Sequence, residues 1–216
     1  MSSGTRPRVL LADDHRMFAE GIKGILAPEF ELLGVVEDGQ ALLEAAERLK
    51  PDVVVADITM PHLNGIDATT RLKQIDDRMR VVLLTMHSEV AFVRRAFDAG
   101  ASAYVLKHSA PDELIAAIRA ALAGKTFVTP TLAGELMHDA TGAPGGPADP
   151  VAMLTSRQRE ILQRVAEGHS AKEIAVDLKL SPRTVEFHKY RIMEALSLHT
   201  TAELVHFAIK HGIVTI

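Results

Sequence analysis

Five short runs of β-branched residues, leucine and alanine mark the first 124 positions: Val9 to Ala12, Leu32 to Val36, Val53 to Ala56, Val81 to Leu84 and Ala103 to Leu106. Each is apolar throughout and does not alternate, the pattern of a strand buried on both faces. Amphipathic segments of roughly a dozen residues separate them. Examples are Gln40 to Leu49 behind Gly39 and Val90 to Ala99 ahead of Gly100, a residue suited to closing a helix. Strict alternation of strand and helix predicts an α/β fold with a parallel sheet covered on both sides. Such a sheet binds ligands outside the carboxyl ends of its strands. Asp13 and Asp14 leave the first run, Asp57 the third, Thr85 the fourth and Lys107 the fifth. Three acids, a hydroxyl and an ammonium gathered there suit a divalent cation and a phosphoryl group.

Beyond Gly124 this pattern dissolves. Residues 128–140 carry Leu132, Leu136 and Met137 at helical spacing, and the run from Thr141 to Pro150 holds three glycines and three prolines in ten residues, as a linker does. From Thr155 onward helical segments break at Gly168, at Ser181-Pro182 and over Ser197 to Thr200, which predicts four helices and no strands. The expected division is a domain over 1–124, a linker over 125–150 and a smaller all-α domain over 151–216. Within the last, Ala171 to Leu178, a break at Lys179 to Ser181 and a helix from Pro182 to Leu196 have helix-turn-helix spacing. Ser181 is placed to cap the second helix and Pro182 to start it. Val185, Ile192 and Leu196 fall on one stripe of that helix, and Arg183, Phe187, Tyr190 and Arg191 on another. Exposed aromatics among arginines need a cover, which the major groove of DNA supplies.

A chain of 216 residues with 47% apolar content supports two globular domains. Its apolar runs are too short to cross a bilayer, and no secretory-type stretch follows Met1, so a cytoplasmic protein without membrane contact is expected. Zero cysteines exclude disulfides, thiolate-bound zinc and thiol catalysis. The net charge of −4 divides unevenly: residues 151–216 carry +2 and the remainder −6. That division suits a cation pocket in the first domain and is compatible with nucleic acid in the second.

The oxygen-rich set of Asp13, Asp14 and Asp57 fits Mg²⁺ better than zinc, because magnesium keeps several waters and takes one or two protein carboxylates. Phosphoryl transfer asks for in-line geometry and charge neutralisation, which a cation and Lys107 beside Asp57 would provide. The segments Val9 to His15, Val55 to Pro61, Leu63-Asn64-Gly65, Leu83 to His87 and Ala103 to Lys107 together resemble the receiver domain of two-component response regulators. The resemblance implies a flavodoxin-like (βα)5 doubly wound domain in which a sensor histidine kinase phosphorylates Asp57. It also implies that Asp13, Asp14 and Asp57 hold Mg²⁺, that Thr85 and Lys107 contact the phosphoryl group, and that Tyr104 turns inward with Thr85 on activation. Pro61 would fix the turn past the acceptor, and Gly65 would supply a backbone conformation other residues resist.

The segment from Leu154 through Leu162, Gly168, Lys172 to Ala175, Ser181, Thr184-Val185 and His188 resembles the LuxR-type domain of NarL/FixJ regulators. By that resemblance the helix from Pro182 reads double-stranded DNA with Arg183, Thr184, Glu186, Phe187, His188, Lys189, Tyr190 and Arg191, and Lys172, Thr184 and Lys189 contact phosphates. The final helix from Thr201 to Lys210 would support a homodimer formed on phosphorylation. Gln158 stands where the family usually has Glu, and Glu186 and Tyr190 replace groove-facing positions that are often basic. An acidic Glu186 suits a cytosine amino group. Thr59 and His87 are expected beside the path of a hydrolytic water, and no role is assigned to His108. Two other readings compete. A phosphoaspartate hydrolase of the haloacid dehalogenase type needs a second acid where Thr59 stands, and a receiver used only for dimerisation would not need the full acidic set.

Overall fold

The computed structural model describes residues 6–109, 111–141 and 149–214, the side chains of 137–141 excepted. Most of the Gly/Pro run read as linker, residues 142–148, lies outside them. Six strands, β1 (Arg8–Ala12), β2 (Glu31–Val36), β3 (Val53–Ala56), β4 (Arg80–Thr85), β5 (Ala103–Leu106) and β6 (Phe127–Val128), form one sheet in the order β2-β1-β3-β4-β5-β6. Every adjacent pair is parallel. Five helices connect them: α1 (Arg16–Leu26), α2 (Gly39–Leu49), α3 (Gly65–Ile75), α4 (Val90–Asp98) and α5 (Pro111–Leu122).

The apolar strands earn their double burial by alternation. Leu10, Val54, Leu83 and Tyr104 point to one face, where α2, α3 and α4 close a core around Leu42, Leu72, Phe92 and Val93. Val9, Leu11, Val55, Leu84 and Val105 point to the other, against Ile22 and Leu26 of α1 and Leu114 and Ile118 of α5. The strand order reverses between β1 and β3, so a crevice opens there at the carboxyl edge. β6 has only two residues, too few to leave a periodic signal. It pairs with β5 and takes that strand off the sheet edge. α6 (Pro130–Thr141) follows and buries Leu132 on the α4 side.

Gly100, at φ 97°, ends α4 as its position in the sequence suggests. Gly65 acts differently from expectation. Its φ is not positive; it starts α3 behind the Asn64 cap, and a Cβ there would lie 2.1 Å from the Asp57 carbonyl oxygen. The constraint is closeness of two backbones, which brings Gly65 N–H to the Ile58 carbonyl at 2.7 Å.

The second domain begins with a single 3₁₀ turn (Pro150–Met153) and has four helices, α7 (Ser156–Ala166), α8 (Ala171–Asp177), α9 (Pro182–Ala195) and α10 (Thr201–Lys210). They enclose Ile161, Leu162, Ile174, Val185, Ile192 and Leu204. Capping boxes open α7 with Thr155 and Gln158 and α8 with Ser170 and Glu173. Gln158 therefore does the capping work of the glutamate it replaces. No helix among the described residues is long and apolar enough to cross a membrane.

α7 docks on the first domain through polar groups. Gln163, fully buried, accepts from Asn64 N–H at 2.9 Å and donates to the Met60 carbonyl at 2.7 Å. Arg159 donates twice to one oxygen of buried Asp67, at 2.8 and 2.6 Å. Glu160 accepts from Arg71 at 2.8 Å, and Arg95 of α4 meets Asp149 at 3.0 Å. Such an interface is specific because each buried charge left without its partner is costly.

Gly65→Ala is expected to lower unfolding stability in urea by about 2–3 kcal/mol through the backbone clash. Gly24→Ala, where a Cβ meets nothing within 4 Å, should raise it by about 0.5 kcal/mol or more. Arg159→Ala leaves Asp67 Oδ1 without its partner across the docked interface, so small-angle scattering should show a larger radius of gyration. Arg183→Ala, on the exposed side of α9, should leave that radius unchanged.

Candidate functional site

Ladder hydrogen bonds bring the strand ends level. Asp57 N–H donates to the Ala12 carbonyl at 2.9 Å and Lys107 N–H to the Thr85 carbonyl at 2.7 Å, which sets the side chains of 13, 57, 85 and 107 around one crevice. There the Lys107 ammonium lies 2.7 Å from Asp57 Oδ2 and 2.7 Å from Asp13 Oδ2. Both carboxylates are buried, and the ammonium sits 4.7 Å from the centre of the Phe18 ring. Burial pushes the Asp57 carboxyl up and the Lys107 charge pulls it back only in part. Burial also disfavours the ammonium, but Asp57 and Asp13 together outweigh it and hold Lys107 above its ordinary value.

Asp13 Oδ1 accepts from His15 N–H at 2.9 Å, and Asp14 Oδ1 lies 2.8 Å from His15 Nδ1. That Asp14 oxygen is shielded from solvent yet has no well-oriented hydrogen bond. Ligand atoms of Asp13, Asp14, His15 and Asp57 all fall within 4.8 Å of one another. The orphaned oxygen and the mostly carboxylate donor set suit a hard divalent cation.

Thr85 is fully buried, and its hydroxyl accepts from His87 N–H at 3.2 Å. Tyr104 is also fully buried and donates its hydroxyl to the His87 carbonyl at 2.9 Å. Tyr104 thus points into the protein in this structure. Burial raises its phenol far above the usual range. Thr59 and His87 join directly, with Thr59 Oγ1 3.0 Å from His87 Nε2. The His87 ring stacks on Phe92 at 4.1 Å, and burial, helped by Arg95 against Glu89, lowers its pKa. A cleft over Asp57 is rimmed by Phe18, Thr59, His87, Lys107 and His108, so His108 stands closer to the chemistry than its sequence context suggests.

In the second domain α8 and α9 stand as a helix-turn-helix. Val185 and Ile192 are buried, as their stripe predicts, while Phe187 and Tyr190 are 59% and 65% exposed beside exposed Arg183, Glu186 and Arg191. Thr184, His188 and Lys189 are half-buried on the same helix, and Lys172 is exposed near the start of α8. Ser181 caps α9 through Thr184 N–H at 3.1 Å, and Arg191 pairs with Glu194 at 2.8 Å. The docked first domain leaves Phe187 and Tyr190 uncovered. Sequence reasoning missed Asn64, Asp67, Arg159 and Gln163, whose partners lie 92 to 103 positions away. No local signal marked them, since on its helical face Gln163 stands among Arg159, Glu160 and Glu167 and reads as part of a solvated stripe.

Residues 9–119 match the family "Response regulator receiver domain" and residues 152–208 the family "Bacterial regulatory proteins, luxR family". The chain is 34% identical over 209 residues to the response regulator GacA of Pseudomonas aeruginosa, covering 96% of this chain and 97% of that one. The RcsB response regulator of Salmonella typhimurium superposes with a TM-score of 0.67 at 25% identity, over 96% of this chain and 99% of RcsB. A structure of two RcsB dimers bound to two parallel DNAs gives 0.59 at 26% identity, over 94% and 98%. With both halves matched in order and the relatives spanned end to end, the chain belongs to the NarL/FixJ family of two-component response regulators, which regulate transcription through a receiver domain and a LuxR-type helix-turn-helix domain.

Proposed function

We propose that a sensor histidine kinase phosphorylates Asp57 in a Mg²⁺-dependent reaction and that the phosphorylated chain dimerises and binds promoter DNA. The single observation that carries this reading is the Lys107 ammonium held 2.7 Å from both Asp57 and Asp13 at the open end of the sheet. A carboxylate oxygen of Asp57 attacks the phosphorus of a phosphohistidine, the P–N bond breaks, and an acyl phosphate forms. Lys107 stays charged throughout and balances the incoming phosphoryl oxygens. Asp13, Asp14 and Asp57 would hold the Mg²⁺, which supplies further charge neutralisation when bound. Thr85, whose hydroxyl now accepts from His87 N–H, turns to donate to a phosphoryl oxygen. Its neighbour Tyr104 follows the His87 carbonyl that it holds.

Self-catalysed phosphotransfer and dephosphorylation are the only chemistry in this reading. The position a hydrolase of external phosphate esters would need for its second acid is Thr59, already engaged with His87. The domains divide near 1–124 and 151–216; within the intervening 125–150, β6 and α6 add to the first domain's sheet and core, and the protein works in the cytoplasm. DNA contacts come from Lys172 of α8 and from Arg183, Thr184, Glu186, Phe187, His188, Lys189, Tyr190 and Arg191 of α9. The exposed Phe187 and Tyr190 support this, since thymine methyls would cover them, as do the DNA-bound RcsB dimers. α10 provides the homodimer contact.

Intact mass after incubation with acetyl phosphate and Mg²⁺ should rise by one phosphoryl group in the wild type and stay fixed in Asp57→Ala. Oligomeric state and DNA footprint should change only in the former; a variant that dimerises and protects DNA equally would defeat the assignment. The Thr59–His87 bridge lies across the approach to Asp57, so Thr59→Ala or His87→Ala should shorten the phosphate half-life severalfold. Burial keeps the His87 ring neutral above its ordinary value of about 6.5, and it gains a proton only as pH falls through its lower folded value, while its Nε2 can still donate to Thr59 Oγ1. The wild-type half-life should therefore shift in that acidic window, where the ring beside Asp57 gains charge, while His87→Ala shows no such step.

A further inference from the structure

We propose that His62, Glu167 and His169 form a zinc-class metal site that bridges the receiver and the helix-turn-helix domain. His62 belongs to the loop between β3 and α3, and Glu167 and His169 to the turn after α7. One nitrogen or oxygen from each of the three lies within 4.8 Å of the others. Two side-chain atoms of these residues, His62 Nδ1 and Glu167 Oε2, are shielded from solvent and have no hydrogen-bond partner. Buried polar atoms without partners are rare, and two in one cluster point to a missing ligand.

The surrounding bonds orient the set. Glu167 Oε1 accepts from His62 N–H at 3.0 Å and from Gln163 Nε2 at 2.9 Å, which fixes the carboxylate and leaves Oε2 free. His169 Nε2 approaches that free oxygen at 3.7 Å. His62 takes φ 66°, a left-handed conformation that residues with a side chain avoid and that concentrates at ligand sites. An ion centred among the three atoms lies within about 2.8 Å of each, so side-chain shifts below about 1 Å reach the roughly 2.0–2.2 Å of Zn–N and Zn–O bonds. Two imidazoles and one carboxylate suit Zn²⁺ or Co²⁺ and leave one position for water, whereas the mostly carboxylate crevice at Asp57 prefers a harder ion. The three residues line one cleft with Asp14, Thr59 and Pro61, so the ion has a way in from solvent. Since the ligands come from both domains, metal binding favours the docked arrangement over the separated one.

Untagged full-length protein, with excess Mg²⁺ present to fill the acidic crevice, is titrated with Co²⁺ and then Zn²⁺. One equivalent of Co²⁺ should give a visible d–d spectrum of low coordination number, and Zn²⁺ should abolish it. His62→Ala and His169→Ala, one in each domain, should each weaken binding by at least tenfold. Glu167→Gln, which keeps the side chain's shape and its contact to His62 N–H, should do the same while thermal unfolding without metal stays unchanged. Retention of wild-type affinity in either histidine variant, or absence of a one-equivalent spectrum in the wild type, overturns the bridging site.

Discussion

The Lys107 ammonium shared by Asp13 and Asp57 is the contact on which the rest of the receiver's arrangement depends. It ties the ends of β1, β3 and β5 together across a crevice whose two carboxylates are buried. Removing one partner from such a set commonly costs about 3–5 kcal/mol, because the remaining charges stay desolvated. A site poised in this way has a ready response to added charge. A cation there competes with Lys107 for the carboxylates, and an anionic group competes with them for Lys107; beside the crevice, Thr85, His87 and Tyr104 are joined by bonds of 3.2 and 2.9 Å.

The same strand end also governs the second domain. The chain leaves Asp57 through Met60, Pro61 and His62 and enters α3 at Asn64, and each part of that path touches α7 or the turn after it. Gln163 grips the Met60 carbonyl and Asn64 N–H, and Glu167 grips His62 N–H. A change at the acceptor therefore has only a few residues to cross before it meets the output domain. Polar groups carry much of the docking, and each buried one is matched by a partner in the other domain. In this docked arrangement Phe187 and Tyr190 of α9 stay exposed.

Much of the fold was legible because its signals are local. The five longer strands, Gly100 after α4 and Ser181-Pro182 before α9 were all readable from short windows, since strand burial and helix capping act over a few residues. β6 was not readable, because two residues carry no period and their strand character comes only from pairing with β5. Gly65 was identified as special for the wrong reason: its neighbour across space, the Asp57 carbonyl, imposes the limit, and φ does not. Gln158 looked like a departure and proved equivalent, because an amide oxygen closes a capping box as a carboxylate does.

By itself the sequence determined which chemistry is present and at which strand ends it stands, for the alternation of apolar and polar positions dictates where each strand stops. Asp13, Asp14, Asp57, Thr85 and Lys107 followed from that pattern, as did the outward stripe of α9. Only the tertiary structure decided which of these groups touch, that Tyr104 lies inward, and that Thr59 meets His87. It alone brought Asn64 to Gln163, Asp67 to Arg159 and His62 to Glu167 and His169. Those pairings join positions about a hundred residues apart, and nothing in local hydrophobic period or helix propensity encodes them. They exist because two separately folded surfaces find complementary charges and hydrogen-bonding groups once both domains are complete.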